Sequence, residues 1–166
     1  MIPVKEAKSI IHKHILLLGT ETVLLKDAGN RILAQDIIAT FPMPSFDNSA
    51  MDGFAVRAVD TKGTDQSLPV TLKMVGVSSA GSPGVITLGP GECAQCMTGA
   101  KIPNGADAIV MVEDTSGFSD TDSVQIFQEA KIGKHIRKKG EEIQDGNMLI
   151  PKSTHITPNE IGTLAT

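Results

Sequence analysis

Two prolines, two residues apart in Phe41-Pro42-Met43-Pro44, constrain this chain more than any other feature. Each fixes its own φ, removes a backbone N–H and pushes the preceding residue into extended geometry, so no helix can cross residues 41–44. Upstream the pattern is helical. Val4, Ala7, Ile10, Ile11, His14, Ile15 and Leu18 recur at three- and four-residue steps, which predicts an amphipathic helix over 4–18 with Gly19 as its stop. Thr22–Leu25 reads as a short strand. Asp27 is placed to cap a brief helix through Ala28, Ile32 and Leu33, and Ile37-Ile38 reads as extended.

Downstream, to about Ile136, the sequence reads as strands and turns only. Val70, Leu72 and Met74 alternate with polar residues, and Gly89-Pro90-Gly91 turns the chain ahead of 92–97. Ala108–Val112 is wholly apolar, as expected of a strand buried on both faces. Val124 and Ile126 follow an acidic loop around Asp120 and Asp122, and Asp145-Gly146 signals a hairpin between Ile143 and Met148. Thr157-Pro158-Asn159-Glu160 is a capping box with Pro at the first helical position. The helix it opens reaches Thr166 without a stop signal, as expected of a piece of a longer protein. The fold class expected is mainly β with flanking helices (α+β). Residues 1–40 and 137–166 form a discontinuous flank, and a β-rich domain over 41–136 is inserted between them.

Composition removes several functions. With 15 basic and 19 acidic residues, a net charge of −4 and neither Trp nor Tyr, the chain is a poor candidate for nucleic acid, which calls for basic patches and stacking rings. No apolar run approaches the ~18 residues of a membrane span, and the N-terminus lacks a secretory signal. Two cysteines in 166 residues do not make a disulfide framework, so a reducing cytoplasm is expected. Cys93 and Cys96 have redox or zinc spacing, but a strand sends residues three apart to opposite faces, which predicts packed, reduced thiols.

Three stretches could carry chemistry. In Phe46-Asp47-Asn48-Ser49-Ala50-Met51-Asp52-Gly53, two carboxylates, an amide and a hydroxyl crowd together; they suit either a self-bonded turn or hard-donor binding of a ligand or Mg²⁺. Met97-Thr98-Gly99-Ala100-Lys101 could aim backbone N–H groups at an anion or simply connect strands. The basic run 131–142, with Lys134, Arg137 and Lys138, could collect an anionic substrate or form a solvated face.

Taken together, Phe46–Val56 (FDNSAMDGFAV), Met97–Val110 (MTGAKIPNGADAIV) ending near Glu113, and Ile136–Gly146 (IRKKGEEIQDG) resemble the N-terminal half of the MoeA family of molybdopterin molybdenumtransferases. Ala28–Ala34 and Thr154–Ala165 resemble the family's flanking domain. Phe54 stands where the family usually has Tyr, and His135 where it has Asn. The resemblance implies an elongated flanking domain I and an inserted domain II; the pterin-binding domain III and domain IV are absent from these residues. It implies a cytoplasmic homodimer that inserts molybdate into adenylylated molybdopterin, releasing AMP, with Mg²⁺ or a similar cation. Other molybdenum-cofactor synthesis proteins are expected partners. Asp52 and Thr98 match the family's catalytic positions, with Asp52 a possible metal contact. Asp47, Asn48, Ser49, Gly99, Glu113 and Arg137 are the expected substrate-binding neighbours. A fragment lacking domain III is expected to be inactive alone. The alternative is a non-catalytic dimerisation or scaffold module related to gephyrin.

Overall fold

The computed structural model describes residues 2–16, 18–82, 85–119 and 121–166. Asp120, half of the expected acidic loop, lies outside them. The chain divides into two compact units, Met1–Ile38 with Met148–Thr166, and Ala39–Asn147. Residues 137–147, read from sequence as flank, group with the second unit: Arg137 pairs with Asn48, and Met43 bridges Ile143.

In the first unit, helix α1 spans Val4–His14, starting after the extended Pro3 and ending before extended Ile15. It is one turn shorter than the periodicity suggests, and none of its residues is buried. Thr22–Leu25 forms no strand; Leu25–Asp27 is a 3-10 turn instead. Asp27 therefore ends a turn rather than capping a helix. Asn30, at φ 64°, swings the chain into an antiparallel ladder with 153–156, in which Ile32 bridges His155. Leu33 donates to the Thr154 carbonyl (2.9 Å). Strand β1 (Ile37–Ile38) pairs with β9 (Met148–Ile150). The second helix, α2 (Pro158–Leu164), carries the capping box read from sequence: Thr157 Oγ1 accepts from the Asn159 N–H, and the Glu160 carboxylate accepts from the Thr157 N–H at 2.8 Å. The Thr157 hydroxyl, then its N–H, hold the Glu160 carboxyl below its ordinary range.

The second unit is built on a five-stranded sheet in the order β6-β3-β5-β4-β7, formed by β3 (Gly53–Val56), β4 (Val70–Ser78), β5 (Glu92–Cys96), β6 (Ala108–Met111) and β7 (Ser123–Ile126). β4 and β5 run parallel; the other pairs are antiparallel. Past β6, Thr115 bridges Ile126 and the Ser116 N–H donates to the Gln125 carbonyl (2.9 Å). The two sheet edges are thus drawn together and the sheet curls. Phe54, Val56, Leu72, Cys93, Val110, Val124 and Ile126 pack on one face, and Ala55, Cys96, Ala100 and Ile109 on the other. β6 is buried on both faces, as its apolar run predicts. Each large side chain buried here contributes about 1.5–3 kcal/mol. Cys93 and Cys96 fall in different clusters, three residues apart on β5, and burial pushes their thiols up to about 12 and about 11. The Asp145-Gly146 turn forms, with Gly146 at φ 83°, but it closes no hairpin: Ile143 bridges Met43 while Met148 pairs with Ile38.

Candidate functional site

The three chemistry-bearing stretches meet in one small sheet. β2 (Asn48–Ser49) lies at its centre. On one side the Ser49 N–H donates to the Ala100 carbonyl (3.0 Å), the Gly99 N–H to the Ser49 carbonyl (2.8 Å) and the Ile102 N–H to the Asp47 carbonyl (3.1 Å). On the other, β2 pairs with β8 (Ile136–Arg137), and the Ala50 N–H donates to the His135 carbonyl (2.9 Å). Segments far apart in sequence thereby become neighbours: Asn48 stands beside both Lys101 and Arg137.

Beyond β2 the chain bends through 50–52 and enters β3. Asp52 Oδ1 accepts two hydrogen bonds from Thr98, from its N–H and its hydroxyl, both at 2.7 Å. Both residues are exposed. The Thr98 N–H, then its hydroxyl, hold the Asp52 carboxyl below the ordinary carboxylate value of 3.8, so it stays ionised at neutral pH. Asp52 Oδ2 takes no hydrogen bond from the described residues. A hydroxyl has one proton to give, and Thr98 spends it on Asp52. Thr98 in this state orients Asp52 and can only accept from a ligand.

The remaining expected residues divide. Ser49 is fully buried and its hydroxyl closes its own turn, donating to the Met51 carbonyl (2.6 Å). Asp47 is engaged through both oxygens, by Lys138 Nζ (2.9 Å) and the Lys139 N–H (2.8 Å), and these contacts depress its pKa, led by Lys138. Gly99, at φ 79°, makes the turn that presents Thr98. The Thr98, Gly99 and Ala100 N–H groups are all spent within the protein, so this turn is not an anion nest. Glu113 is exposed on a 3-10 turn (Val112–Asp114), which is tied to the site because the Val112 N–H donates to the Asp52 carbonyl (3.1 Å). Arg137 is exposed beside Asn48, whose own side chain is buried. The pairing of Asp47 with Lys138 follows from no local rule: ninety-one residues separate them, and Glu141 and Glu142 lie far nearer to Lys138 in sequence. Glu141 instead accepts the Lys138 backbone N–H (2.7 Å).

Both departures from the family pattern have a physical setting. Phe54 is 1% exposed and its ring meets Phe118 at 5.5 Å, an apolar site where a tyrosine hydroxyl would need a partner. His135 has φ 58°, the left-handed region that Asn enters readily.

Among the described residues, no three His, Cys, Asp or Glu side chains gather as a metal site.

A family model for the MoeA N-terminal region (domain I and II) matches residues 2–166. The chain belongs to the MoeA family. It is 40% identical over 165 residues to the molybdopterin molybdenumtransferase of Staphylococcus aureus (strain Mu50), and 40% identical over 167 residues to that of Bacillus subtilis (strain 168). Each match covers 99% of this chain and 39% of the relative, so the chain spans about two-fifths of the length of these MoeA proteins. The crystal structure of molybdopterin biosynthesis moeA protein from Pyrococcus horikoshii OT3 superposes with a TM-score of 0.88 at 30% identity, over 99% of this chain and 43% of that one. The mainly β fold is thus a MoeA fold. Among the described residues no helix is long and apolar enough to cross a membrane.

Proposed function

We infer that this chain supplies the Asp52–Thr98 half of a site that, in the full-length protein, inserts molybdate into adenylylated molybdopterin and releases AMP. The observation that carries this is the Asp52 carboxylate itself, ionised, exposed and fixed on one oxygen by both donors of Thr98. A carboxylate held below its ordinary range is ionised at neutral pH and has no proton to give. It serves as a base toward water or as an anchor for a cation, and both uses leave Thr98 as its orienting partner. When bound, Mg²⁺ would neutralise the charge of phosphate and molybdate oxygens beside Asp52. Asp52 would hold it through Oδ2, while Asp47 and Ser49, already engaged, keep β2 and the basic turn in place. The expected homodimer would complete the site from domains outside these residues, so the 166-residue chain alone is inactive on this reading. The names of the relatives support the transferase reaction over a scaffold.

The test is AMP release from adenylylated molybdopterin with molybdate and Mg²⁺, with the full-length protein run beside the 166-residue chain. Release by the full-length protein alone is expected. Release by neither overturns the transferase reading in favour of a scaffold.

A further inference from the structure

Ser49 is fully buried and bonded to both halves of the Asp52–Thr98 pair. Its backbone serves the Thr98 side: the Ser49 carbonyl accepts from Gly99, the residue after Thr98 (2.8 Å), and the Ser49 N–H donates to the Ala100 carbonyl (3.0 Å). Its side chain serves the Asp52 side. The hydroxyl donates to the Met51 carbonyl (2.6 Å) and accepts the Met51 N–H (3.3 Å), gripping both backbone polar groups of the residue before Asp52. Beyond Asp52 the chain is fixed by other means, because the Asp52 carbonyl accepts from Val112 (3.1 Å) and Gly53 enters β3. A hydroxyl has one proton to give, and that of Ser49 goes to Met51; the Cys96 thiol is hydrogen-bonded to the same side chain. Closed to solvent and spent in this way, Ser49 has nothing to offer a ligand, although the resemblance places it among the substrate-binding neighbours. Asp52, by contrast, is exposed, and its place is only as definite as the bend that carries it. Groups that act on a ligand must be held to about 0.5 Å by supporting residues.

We propose that Ser49 is a positioning residue: its hydroxyl sets the 49–51 turn that brings the Asp52 carboxylate onto the two donors of Thr98. What that alignment serves rests on the transferase reading, whereas the clamp itself stands on these hydrogen bonds.

The test is Ser49→Ala in the full-length protein, with Thr61→Val as its matched control. Thr61 is equally buried and its hydroxyl makes the same pair of bonds, donating to the Ala58 carbonyl (2.9 Å) and accepting the Ala130 N–H (2.9 Å), with neither partner in the site. Amide exchange read by NMR separates a local clamp from general loosening. In Ser49→Ala the Thr98 N–H, which bonds Asp52, is expected to exchange about tenfold faster or more, while the Gly99 N–H, whose bond to the Ser49 carbonyl survives, keeps its protection. Thr61→Val should move neither. In Ser49→Ala, kcat for AMP release should fall about tenfold or more, the scale of a small misplacement, with KM little changed. Equal acceleration of Thr98 and Gly99, or of neither, overturns the proposal, as does an unchanged kcat with Thr98 released. Should Ser49→Ala not fold, the wild type still decides: a protected Met51 N–H supports the clamp, and one exchanging as in a free loop overturns it. Amide exchange does not depend on turnover, so a wild type that releases no AMP would sink the transferase reading while the clamp is still read from Thr98 and Gly99.

Discussion

Gly53 follows Asp52 directly, so a variant there that lost activity would ordinarily be counted as evidence about catalysis. The structure gives it another role. Gly53 lies in β3 opposite Met111 of β6, and a Cβ added to it would stand 2.0 Å from the Val110 carbonyl oxygen and 2.9 Å from its carbonyl carbon. Real Cβ atoms do not approach closer than 3.0 Å, so β3 and β6 would have to separate by about 1 Å. The obstacle is backbone held in the β3–β6 ladder and cannot swing aside as a side chain would. Overpacking of this kind costs about 1–3 kcal/mol and sometimes more, and Gly53→Ala is expected near the upper end. Urea unfolding measures it: with a slope of about 1–3 kcal/mol per molar for a small protein, the midpoint should fall by roughly 1 M or more. Gly162→Ala is the internal contrast. Gly162 lies in α2 with nothing within 4 Å of its added Cβ, and the change should stabilise by about 0.5–1 kcal/mol. A Gly53→Ala loss below about 0.5 kcal/mol, the range of ordinary surface changes, would refute the steric argument.

Two further outcomes follow from named contacts. Thr98→Val keeps the backbone N–H to Asp52 and removes the hydroxyl, so the Asp52 carboxyl should titrate higher than in wild type, while Thr98→Ser should restore the low value; carbon-13 NMR of the carboxyl reads both. Because folding depresses this pKa, its stabilising contribution is present above the ordinary 3.8 and is lost as pH falls through the folded value, so Thr98→Val should flatten that acid-side loss. Cys93 and Cys96, buried with thiols raised to about 12 and about 11, should react with a thiol reagent only after unfolding; rapid labelling of the folded protein would contradict the packing described.

Much of this was legible in local sequence. The Pro42–Pro44 break, the apolar run of β6, the capping box of α2 and the opposite facing of the two cysteines each follow from rules that act within a few residues. What escaped depended on distant partners. Ile32 and Leu33 carry a short helical spacing, yet the ladder with 153–155 captures them once Asn30 has turned the chain. The Asp145-Gly146 signal predicts a turn correctly but not which strands it serves. At the site, the sequence pointed to Asp52 and Thr98 through a resemblance, but their mutual hydrogen bonds, forty-six residues apart, follow from no spacing rule. Nor could composition tell that Asp47 and Ser49 spend their polar atoms within the protein while Asn48, between them, keeps an unpartnered oxygen.

The central claim is that the negative charge of Asp52 serves the reaction. Asp52→Asn isolates it, because the amide oxygen can still accept both Thr98 donors at the same place while the charge is gone. In the full-length protein, AMP release should fall by about a hundredfold or more, the scale of a lost acid–base group, with the unfolding temperature unchanged. Release within about threefold of wild type, too small for such a role, would contradict the account and leave Asp52 as a loop residue that Thr98 merely holds in place.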